Sequence, residues 1–441
     1  MKSGACVMSS SSSSLVGISA AQSVTIFMKS RFLRGGVLLI ESHMRRPHFT
    51  RKGKIFMKIP LRPTHLLVNL TQLRRNVEAI RARVQPAKVL VMLKANAYGH
   101  GVEGVAPYIE PYVDYIGVAV LDEGVRLREL GITKPVLVAG GTLPEHVPYY
   151  LAYDLTLTVS HPAVLQAAAA AAESAGKQMK VHLKIDTGME RSGVRWYEAK
   201  ALLQQSLRCR QLDIEGIYTH FANSETLESH ETPKKWGYAY PSEQLARFHE
   251  VLSFYEKHSL PRPRLVHAAN SGAILNLPES FFDMVRPGIL FYGIYPDRGV
   301  LRSVQVAPAA TWKSQVVYSK ITQAGHPVSY GSLWVSDHAV RTVTVPCGYA
   351  DGYFRRMTNQ PKVIVNGKKY QQVGRICMDQ FMVNLESDDA DLGDEVILLG
   401  KAASGEQILP EDLAEWAGTN AYEVMTNISA RVPRVFFQEE E

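Results

Sequence analysis

The chain is poor in cysteine. It has four in 441 residues, Cys6, Cys209, Cys347 and Cys377, and no two of them form a Cys-x-x-Cys pair. Disulfide frameworks and structural zinc sites need numerous or closely spaced thiols. The scattered cysteines therefore argue against both kinds of site. They predict a protein of a reducing, cytoplasmic compartment that binds no metal.

Acidic residues are almost absent from the first 60 residues, which hold ten Lys or Arg and one acid, Glu41. The net charge of +7 comes from this segment, because the rest of the chain holds 39 basic and 41 acidic residues. A nucleic-acid-binding surface needs its basic residues on the folded part. The charge distribution therefore excludes nucleic acid as a partner of that part.

The leader, residues 1–57, also lacks an apolar run near the ~20 residues that span a membrane. Its Ser- and Arg-rich, acid-poor composition fits an organelle transit peptide. It also fits translated upstream sequence before a start at Met44 or Met57, and we favour this second interpretation. Residues 1–59 are therefore predicted to be a disordered leader or an upstream extension, and no membrane association is expected.

After residue 60 the chain alternates between strand-like and helix-like segments. The strand-like segments are continuous apolar runs, as parallel strands buried on both faces should be. They are Val89–Leu93, Tyr115–Val120, Val136–Ala139, Leu155–Val159, Val181–Ile185, Ile214–Thr219, Leu265–Ala268 and Met284–Leu290. The helix-like segments are Gln72–Val84, capped by Asn69 or Thr71, and Val125–Leu130, Val164–Ala175, Tyr197–Leu207 and Ser242–His258. This order predicts an α/β fold, a (β/α)8 TIM-like barrel over residues 60–300, with an open doubly wound sheet as the main alternative.

Residues 301–441 have a different pattern, with short strand-like runs separated by turn signals. The expected strands are Thr311–Ile321, Val340–Pro346, Lys362–Asn366, Gln371–Ile376, Met382–Leu385, Glu395–Leu399 and Arg434–Gln438, with one helix at Pro410–Glu415. Asn366-Gly367 predicts a tight hairpin, because both residues tolerate positive φ. The pattern indicates a separate, β-rich C-terminal domain.

Reactive side chains recur where the predicted barrel strands end, which is where such barrels carry their catalytic groups. Lys94 ends the first strand. There it either caps the strand in solvent or supplies an amine that forms a Schiff base, and its own segment favours neither reading. Ser271 and Gly288 follow the seventh and eighth strands, where these barrels often hold a phosphate.

The run K-A-N-A-Y-G-H-G at Lys94–Gly101 resembles the cofactor attachment site of alanine racemases, and the resemblance continues from about Pro60 to Phe437. These are fold type III enzymes that use pyridoxal 5′-phosphate (PLP). The resemblance implies an isomerase that interconverts L- and D-alanine by two-base proton transfer on a PLP aldimine. D-alanine would then supply peptidoglycan synthesis.

The resemblance also implies which residues hold the cofactor. Arg286 matches the arginine that faces the pyridine nitrogen, and its guanidinium does not readily give up a proton. The nitrogen would then stay unprotonated, which weakens the ring as an electron sink. The implied cofactor-binding residues are Lys94, Tyr98, His220, Asn270, Ser271, Arg286, Gly288 and Ile289.

For catalysis the resemblance implies two bases, Lys94 for the D enantiomer and Tyr330 for the L enantiomer. The implied substrate-binding residues are Arg191, Met378 and Tyr349, and Lys184 matches a lysine that carries a carbamate in several members. In the family the β-rich domain completes the site of the other subunit, so a head-to-tail homodimer is expected.

One position departs from the family pattern. Ala430 stands where the family commonly has a tyrosine beside the phosphate. Its loss predicts weaker cofactor binding, a wider entrance and turnover of serine or a larger amino acid. A PLP-dependent decarboxylase and a non-catalytic PLP carrier are further alternatives. A nicotinamide dehydrogenase is a distant one, suggested only by Gly99-x-Gly101-x-x-Gly104, whose first glycine does not directly follow the strand.

Overall fold

The computed structural model describes residues 61–225 and 239–440. The predicted leader, residues 1–59, lies outside the described residues. In chain order the strands are β1 (His65–Asn69), β2 (Lys88–Met92), β3 (Tyr115–Val118), β4 (Val136–Val138), β5 (Thr156–Val159), β6 (Met179–Asp186), β7 (Val194–Arg195), β8 (Leu212–Tyr218), β9 (Leu265–His267), β10 (Met284–Val285), β11 (Ala310–Gln315), β12 (Tyr318–Thr322), β13 (Val340–Val345), β14 (Lys362–Val365), β15 (Lys368–Val373), β16 (Phe381–Glu386), β17 (Glu395–Lys401), β18 (Gln407–Ile408) and β19 (Arg434–Phe437).

The helices lie mainly between the strands of the first half of the chain. They are α1 (Leu70–Val84), α2 (Lys94–Tyr98), α3 (Val102–Ile109), α4 (Leu121–Glu129), α5 (Val147–Ala152), α6 (Pro162–Ala175), α7 (Ala199–Ser206), α8 (Tyr240–Lys257), α9 (Ser271–Asn276), α10 (Pro410–Ala417) and α11 (Ala421–Asn427). The side chain of Asn69 caps α1 by accepting a hydrogen bond from the Gln72 N–H at 3.0 Å, as expected.

Eight parallel strands close a barrel in the order β2, β3, β4, β5, β6, β8, β9, β10, and β10 pairs with β2. This confirms the (β/α)8 fold and excludes the open sheet. Inside the barrel, near the amino ends of their strands, lies a separate buried cluster of Leu90, Tyr115, Leu137, Leu265 and Met284. The carboxyl ends of the strands are therefore the end left for polar groups.

The second sheet has the order β12, β13, β16, β15, β14, β17, β11, β1, β19, with β18 paired to β17. Its β1 comes from the range predicted for the barrel and lies parallel to β19, near the end of the chain. The Asn366-Gly367 hairpin is confirmed, because both residues have positive φ between β14 and β15.

Two strand predictions were wrong in extent. The eighth barrel strand ends at Val285, because Pro287 has no N–H to continue the ladder. Arg286, Gly288 and Ile289 therefore follow that strand. The run predicted as Thr311–Ile321 is two strands, since β11 pairs with β17 whereas β12 pairs with β13.

Candidate active site

Lys94 lies two residues after the end of β2 and begins a left-handed turn. The four residues after it, Ala95 to Tyr98, have φ values between 50° and 54°. A left-handed turn of L-amino acids costs roughly 1–2 kcal/mol per residue, so its surroundings must hold it in place. Glu123 on α4 does so, because its carboxylate accepts hydrogen bonds from the N–H of Ala95 at 2.6 Å and of Ala119 at 2.8 Å.

The Lys94 side chain is half-buried, and its Nζ lies 5.9 Å from the centroid of the Tyr98 ring. Burial lowers the pKa of the amine, and the positive charge of Arg191 lowers it further. A lower pKa increases the fraction of neutral amine, the form that acts as a nucleophile or base. The turn therefore presents a reactive lysine at the carboxyl end of the barrel.

Ser271, Gly288 and Tyr98 form a small polar cradle beyond β9 and β10. The Ser271 Oγ accepts hydrogen bonds from the N–H of Gly288 at 3.0 Å and of Leu290 at 3.3 Å. A Cβ at residue 288 would lie 3.1 Å from Cζ of Tyr98 and still closer to its Oη. The tyrosine hydroxyl therefore occupies the space left by the missing side chain, and Ile289 is buried directly behind it.

Asn270, rather than Ser271, caps α9, because its side chain accepts from the Ala273 N–H at 3.0 Å. It also accepts from the Ser224 hydroxyl at 2.6 Å. The serine hydroxyl is thereby left to organise the loop after β10. Together these residues place two hydroxyls and a glycine backbone where a phosphate fits.

A tyrosine also lies beside this cradle, although not from the position that the family comparison suggested. Tyr422 on α11 packs 6.2 Å from Tyr98, centroid to centroid, and its hydroxyl donates to Glu225 at 2.8 Å. Ala430 lies in the exposed turn after α11. The interpretation of Ala430 as a lost phenol at the cradle stays a prediction, since the hydroxyl of Tyr422 is bonded to Glu225 rather than to the cradle.

Arg286 is buried, and both of its terminal nitrogens hydrogen-bond to neighbouring groups. Nη1 donates to His267 Nδ1 at 2.8 Å, whereas Nη2 donates to the carbonyls of Thr219 at 2.7 Å and Ala268 at 2.9 Å. Nη2 also lies 3.2 Å from His220 Nδ1. Burial lowers the pKa of Arg286 to about 10, so it is still a cation at neutral pH.

His220 shows that the predicted groups converge. Its pKa is held well below its usual value, first by burial and then by positive charges. Those charges belong to four residues from three strand ends: Lys94 after β2, Lys184 and Arg191 on and after β6, and Arg286 after β10. Such mutual repulsion requires proximity, so the barrel gathers these side chains at one mouth.

Lys184 and Arg191 lie on and after β6. The Lys184 amine donates to Ser192 Oγ at 2.6 Å, and burial followed by the charge of Arg191 lowers its pKa to about 8. Asp186 accepts hydrogen bonds from the N–H groups of Gly188 and Met189, both at 2.9 Å. This carboxylate shapes the loop that carries the exposed Arg191.

Tyr330, Tyr349 and Met378 group together at one edge of the β-rich domain. Arg375 donates to the carbonyl of Tyr330 at 3.3 Å, and the N–H of Tyr349 donates to the carbonyl of Cys377 at 3.0 Å. Tyr330 is 72% exposed and Met378 52% exposed. Within the described residues of a single chain, no hydrogen bond or ring contact joins Tyr330 to Lys94.

The sequence interpretation missed several neighbours of these groups. Glu123 and Tyr422 lie in helices with no local signal of their roles. His182 and His267 had a signal, since His182 shares the inward face of β6 with Lys184 and Asp186 at a spacing of two. Among residues 61–225 and 239–440, no cluster of three or more His, Cys, Asp or Glu side chains is arranged to hold a metal ion.

Within the described part of the chain, every helix is too short or too polar to cross a membrane.

Comparison with known proteins gives consistent matches over both halves of the chain. The model of the alanine racemase N-terminal domain matches residues 68–296, and that of the C-terminal domain matches residues 309–436. An alanine racemase from Carboxydothermus hydrogenoformans is 42% identical over 379 residues, which cover 85% of this chain and 100% of the relative.

Solved structures agree with the sequence matches. The alanine racemase of Clostridium difficile 630 has a TM-score of 0.79 at 35% identity, and the match covers 87% of this chain and 98% of that one. A histidine racemase from Leuconostoc mesenteroides is also similar, with a TM-score of 0.76 at 27% identity over 86% of this chain and 99% of its own.

Proposed function

The chain belongs to the alanine racemase family and is thus an isomerase that interconverts L- and D-alanine, and we propose that it does so with PLP as cofactor and with Lys94 and Tyr330 as its two bases. The observation that carries this proposal is the convergence at one barrel mouth of a reactive amine, a hydroxyl cradle and a buried arginine that has no carboxylate partner among the described residues. We place the reaction in the cytoplasm, where D-alanine would supply peptidoglycan synthesis.

The residues present fit PLP. The missing side chain at Gly288 lets the Tyr98 hydroxyl approach the backbone there, and the Ser271 hydroxyl lies beside it, so the cradle offers two hydroxyls and backbone N–H groups to a phosphate. Lys94 would hold the cofactor through its amine, and Arg286 would donate an N–H to the ring nitrogen. When bound, the cofactor supplies the electron-withdrawing group that acidifies the substrate Cα–H.

Racemisation requires that a proton leaves one face of Cα and returns to the other. Lys94 would take the Cα proton of D-alanine at its Nζ, and its lowered pKa favours the neutral amine that this role needs. Tyr330 would take the proton of L-alanine at its Oη. Two bases on opposite faces explain why groups from two domains are needed.

The remaining groups would place the substrate. Arg191 is exposed at the mouth, and its guanidinium fork suits the alanine carboxylate, with Met378 and Tyr349 on the opposite side. Lys184 would carry a carbamate, since a buried amine with a pKa of about 8 has the neutral fraction that reacts with carbon dioxide. The resulting anion would pair with Arg191.

Tyr330 reaches a second chain in this proposal. It is 72% exposed and makes no contact with Lys94 of its own chain within the described residues, so we infer a head-to-tail homodimer in which each Tyr330 completes the partner's site. Alanine is the expected main substrate, because the relatives that match both halves of the chain are alanine racemases. The alanine at residue 430 still predicts additional turnover of serine or a larger amino acid.

The test is Lys94→Ala in the full chain, with Lys88→Ala as matched control at the opposite end of the same strand. We expect Lys94→Ala to lose both the visible absorbance of bound cofactor and the isotope exchange at alanine Cα, whereas the control keeps both. Retention of tightly bound cofactor absorbance in Lys94→Ala would refute the assignment of this lysine.

A further inference from the structure

A continuous line of hydrogen bonds runs through the barrel interior, away from the mouth described above. It begins at Arg286, whose Nη1 lies 2.8 Å from His267 Nδ1. The other nitrogen of His267 lies 2.9 Å from His182 Nδ1, and His182 Nε2 lies 3.3 Å from an oxygen of Glu215. Two histidines thus connect the arginine to a single carboxylate, and the four side chains lie on or directly after four adjacent strands.

The direction of every bond in this line follows from its first member. An arginine can only donate, so Nδ1 of His267 must be unprotonated and its Nε2 must carry the proton. Nδ1 of His182 then accepts, and Nε2 of His182 donates to Glu215. The alternative tautomer of either ring would place two donors face to face.

The carboxylate at the end of the line is held in its charged form. Burial opposes ionisation of Glu215, but hydrogen bonds from His182 and Tyr115 outweigh it and lower its pKa to about 2. Both histidines have pKa values lowered by burial and are neutral. Arg286 has no hydrogen bond to a carboxylate among the described residues, and the line that starts from it ends at Glu215, which also lies 3.6 Å from the exposed Arg264.

Neighbouring residues contact Glu215 and both histidines of this line. The Tyr115 hydroxyl donates to Glu215 at 2.8 Å and accepts from Thr156 at 2.6 Å. A Cβ at Gly216 would come within 2.6 Å of His182 Nδ1, so the glycine makes room for the imidazole. The His267 ring stacks on Tyr218 at 4.7 Å and 8°. Each ring is thus fixed by packing as well as by hydrogen bonds.

We propose that Glu215 and His182 are positioning residues for the racemase reaction, which act through His267 to keep Arg286 charged and aimed at the mouth. This inference rests on the proposed function, in which Arg286 donates to the cofactor ring nitrogen. Glu215 lies near the opposite, amino-terminal end of the barrel, so a residue remote from the substrate tunes the electronics of the site.

The main test compares Glu215→Gln with Asp213→Asn in the full-length holoenzyme. Asp213 lies on the same strand and binds Arg264 at 2.8 and 3.0 Å, and this arginine also lies 3.6 Å from Glu215. Asp213→Asn therefore removes an equal charge beside the same arginine without breaking the line. We expect Glu215→Gln to lower kcat roughly tenfold or more, as for a lost hydrogen bond to a charged group, with KM for alanine little changed. Asp213→Asn should stay within about twofold of wild type.

The pH profile separates positioning from general damage. The titratable and charged groups that face Arg286 are His267, His220, Tyr218, Arg191 and Lys184. Loss of the Glu215 charge disfavours the cationic guanidinium, so the alkaline limb of kcat should move to lower pH in Glu215→Gln. Glu215→Asp, which keeps the charge, should restore much of the wild-type limb.

Neutron diffraction of the wild-type enzyme gives a readout independent of activity. We expect a deuteron on Nε2 of both His267 and His182 and none on Glu215. A deuteron on His267 Nδ1 would overturn the inference, as would a Glu215→Gln pH profile that superimposes on that of Asp213→Asn. If Glu215→Gln fails to fold, Gly216→Ala, which displaces the His182 ring, should give the same alkaline shift. A wild-type enzyme that does not racemise alanine would refute the proposed function instead.

Discussion

Gly288→Ala tests the cradle by adding one methyl group. Residue 288 has a φ of −105° and a ψ of −100°, so its φ lies outside the left-handed region, and the added methyl group meets Tyr98. The added Cβ would lie 3.1 Å from Tyr98 Cζ, and closer still to Oη, where ordinary contacts are 3.4–4 Å. Tyr98 cannot withdraw easily, because its ring packs 4.9 Å from Tyr292 and 6.2 Å from Tyr422. Overpacking of this kind costs about 1–3 kcal/mol.

If the displaced hydroxyl belongs to the phosphate site, that cost should appear as a roughly 5- to 150-fold weaker affinity for PLP. Titration of the apoenzyme with PLP, followed by visible absorbance, measures it. Gly141→Ala is the matched control, because a Cβ there has no neighbour within 4 Å. Gly288→Ala should weaken PLP binding less in the Tyr98→Phe background than in wild type, because the hydroxyl that it displaces is already absent there. Unchanged affinity in Gly288→Ala would refute the assignment of the cradle.

Three further outcomes are expected. Mixing unfolded Lys94→Ala and Tyr330→Phe chains and refolding them together should recover about a quarter of wild-type activity. Half of the randomly paired dimers are mixed, and each of these contains one intact site out of two. No recovery would show that the site is completed within one chain. The carbamate on Lys184, followed by the 13C signal of labelled bicarbonate, should increase as the pH rises through about 8, and a signal absent at all pH values would exclude the modification. The folded-state pKa of Glu215 is depressed from 4.5 to about 2, so its contribution to the free energy of unfolding should be full above pH 4.5 and lost as the pH falls toward 2. Chemical denaturation of wild type and Glu215→Gln across that range measures the loss. A difference in unfolding free energy between the two that stays constant with pH would contradict the expectation.

Much of the fold was predictable because its signals are local. Continuous apolar runs mark buried parallel strands, and a short polar residue before a helix marks its cap, as at Asn69. The end of β10 was not predicted, although the lack of an N–H at Pro287 is visible in the sequence. An apolar run continues past that proline into a turn, and periodicity alone does not distinguish the two.

The candidate site was predictable to the extent that its residues end strands. Lys94, Lys184, Arg286 and His220 come from four different strand ends, and barrel closure brings them to the same mouth. Tyr422 was missed because it reaches the cradle from α11, more than 300 residues after Tyr98 in the chain. Comparing motifs position by position points to Ala430, which is exposed in the single chain, and its effect on the cradle stays a prediction.

The sequence by itself determined the barrel, the β-rich domain and the chemistry of the reactive lysine, because these depend on local pattern and residue type. Only the tertiary structure decided which carboxylate accepts a hydrogen bond from the left-handed turn after Lys94, and which one ends the line of hydrogen bonds that starts at Arg286. Hydrogen bonds and electrostatic interactions depend on distance in space, and residues 71 positions apart, such as Glu215 and Arg286, become linked only when the strands close.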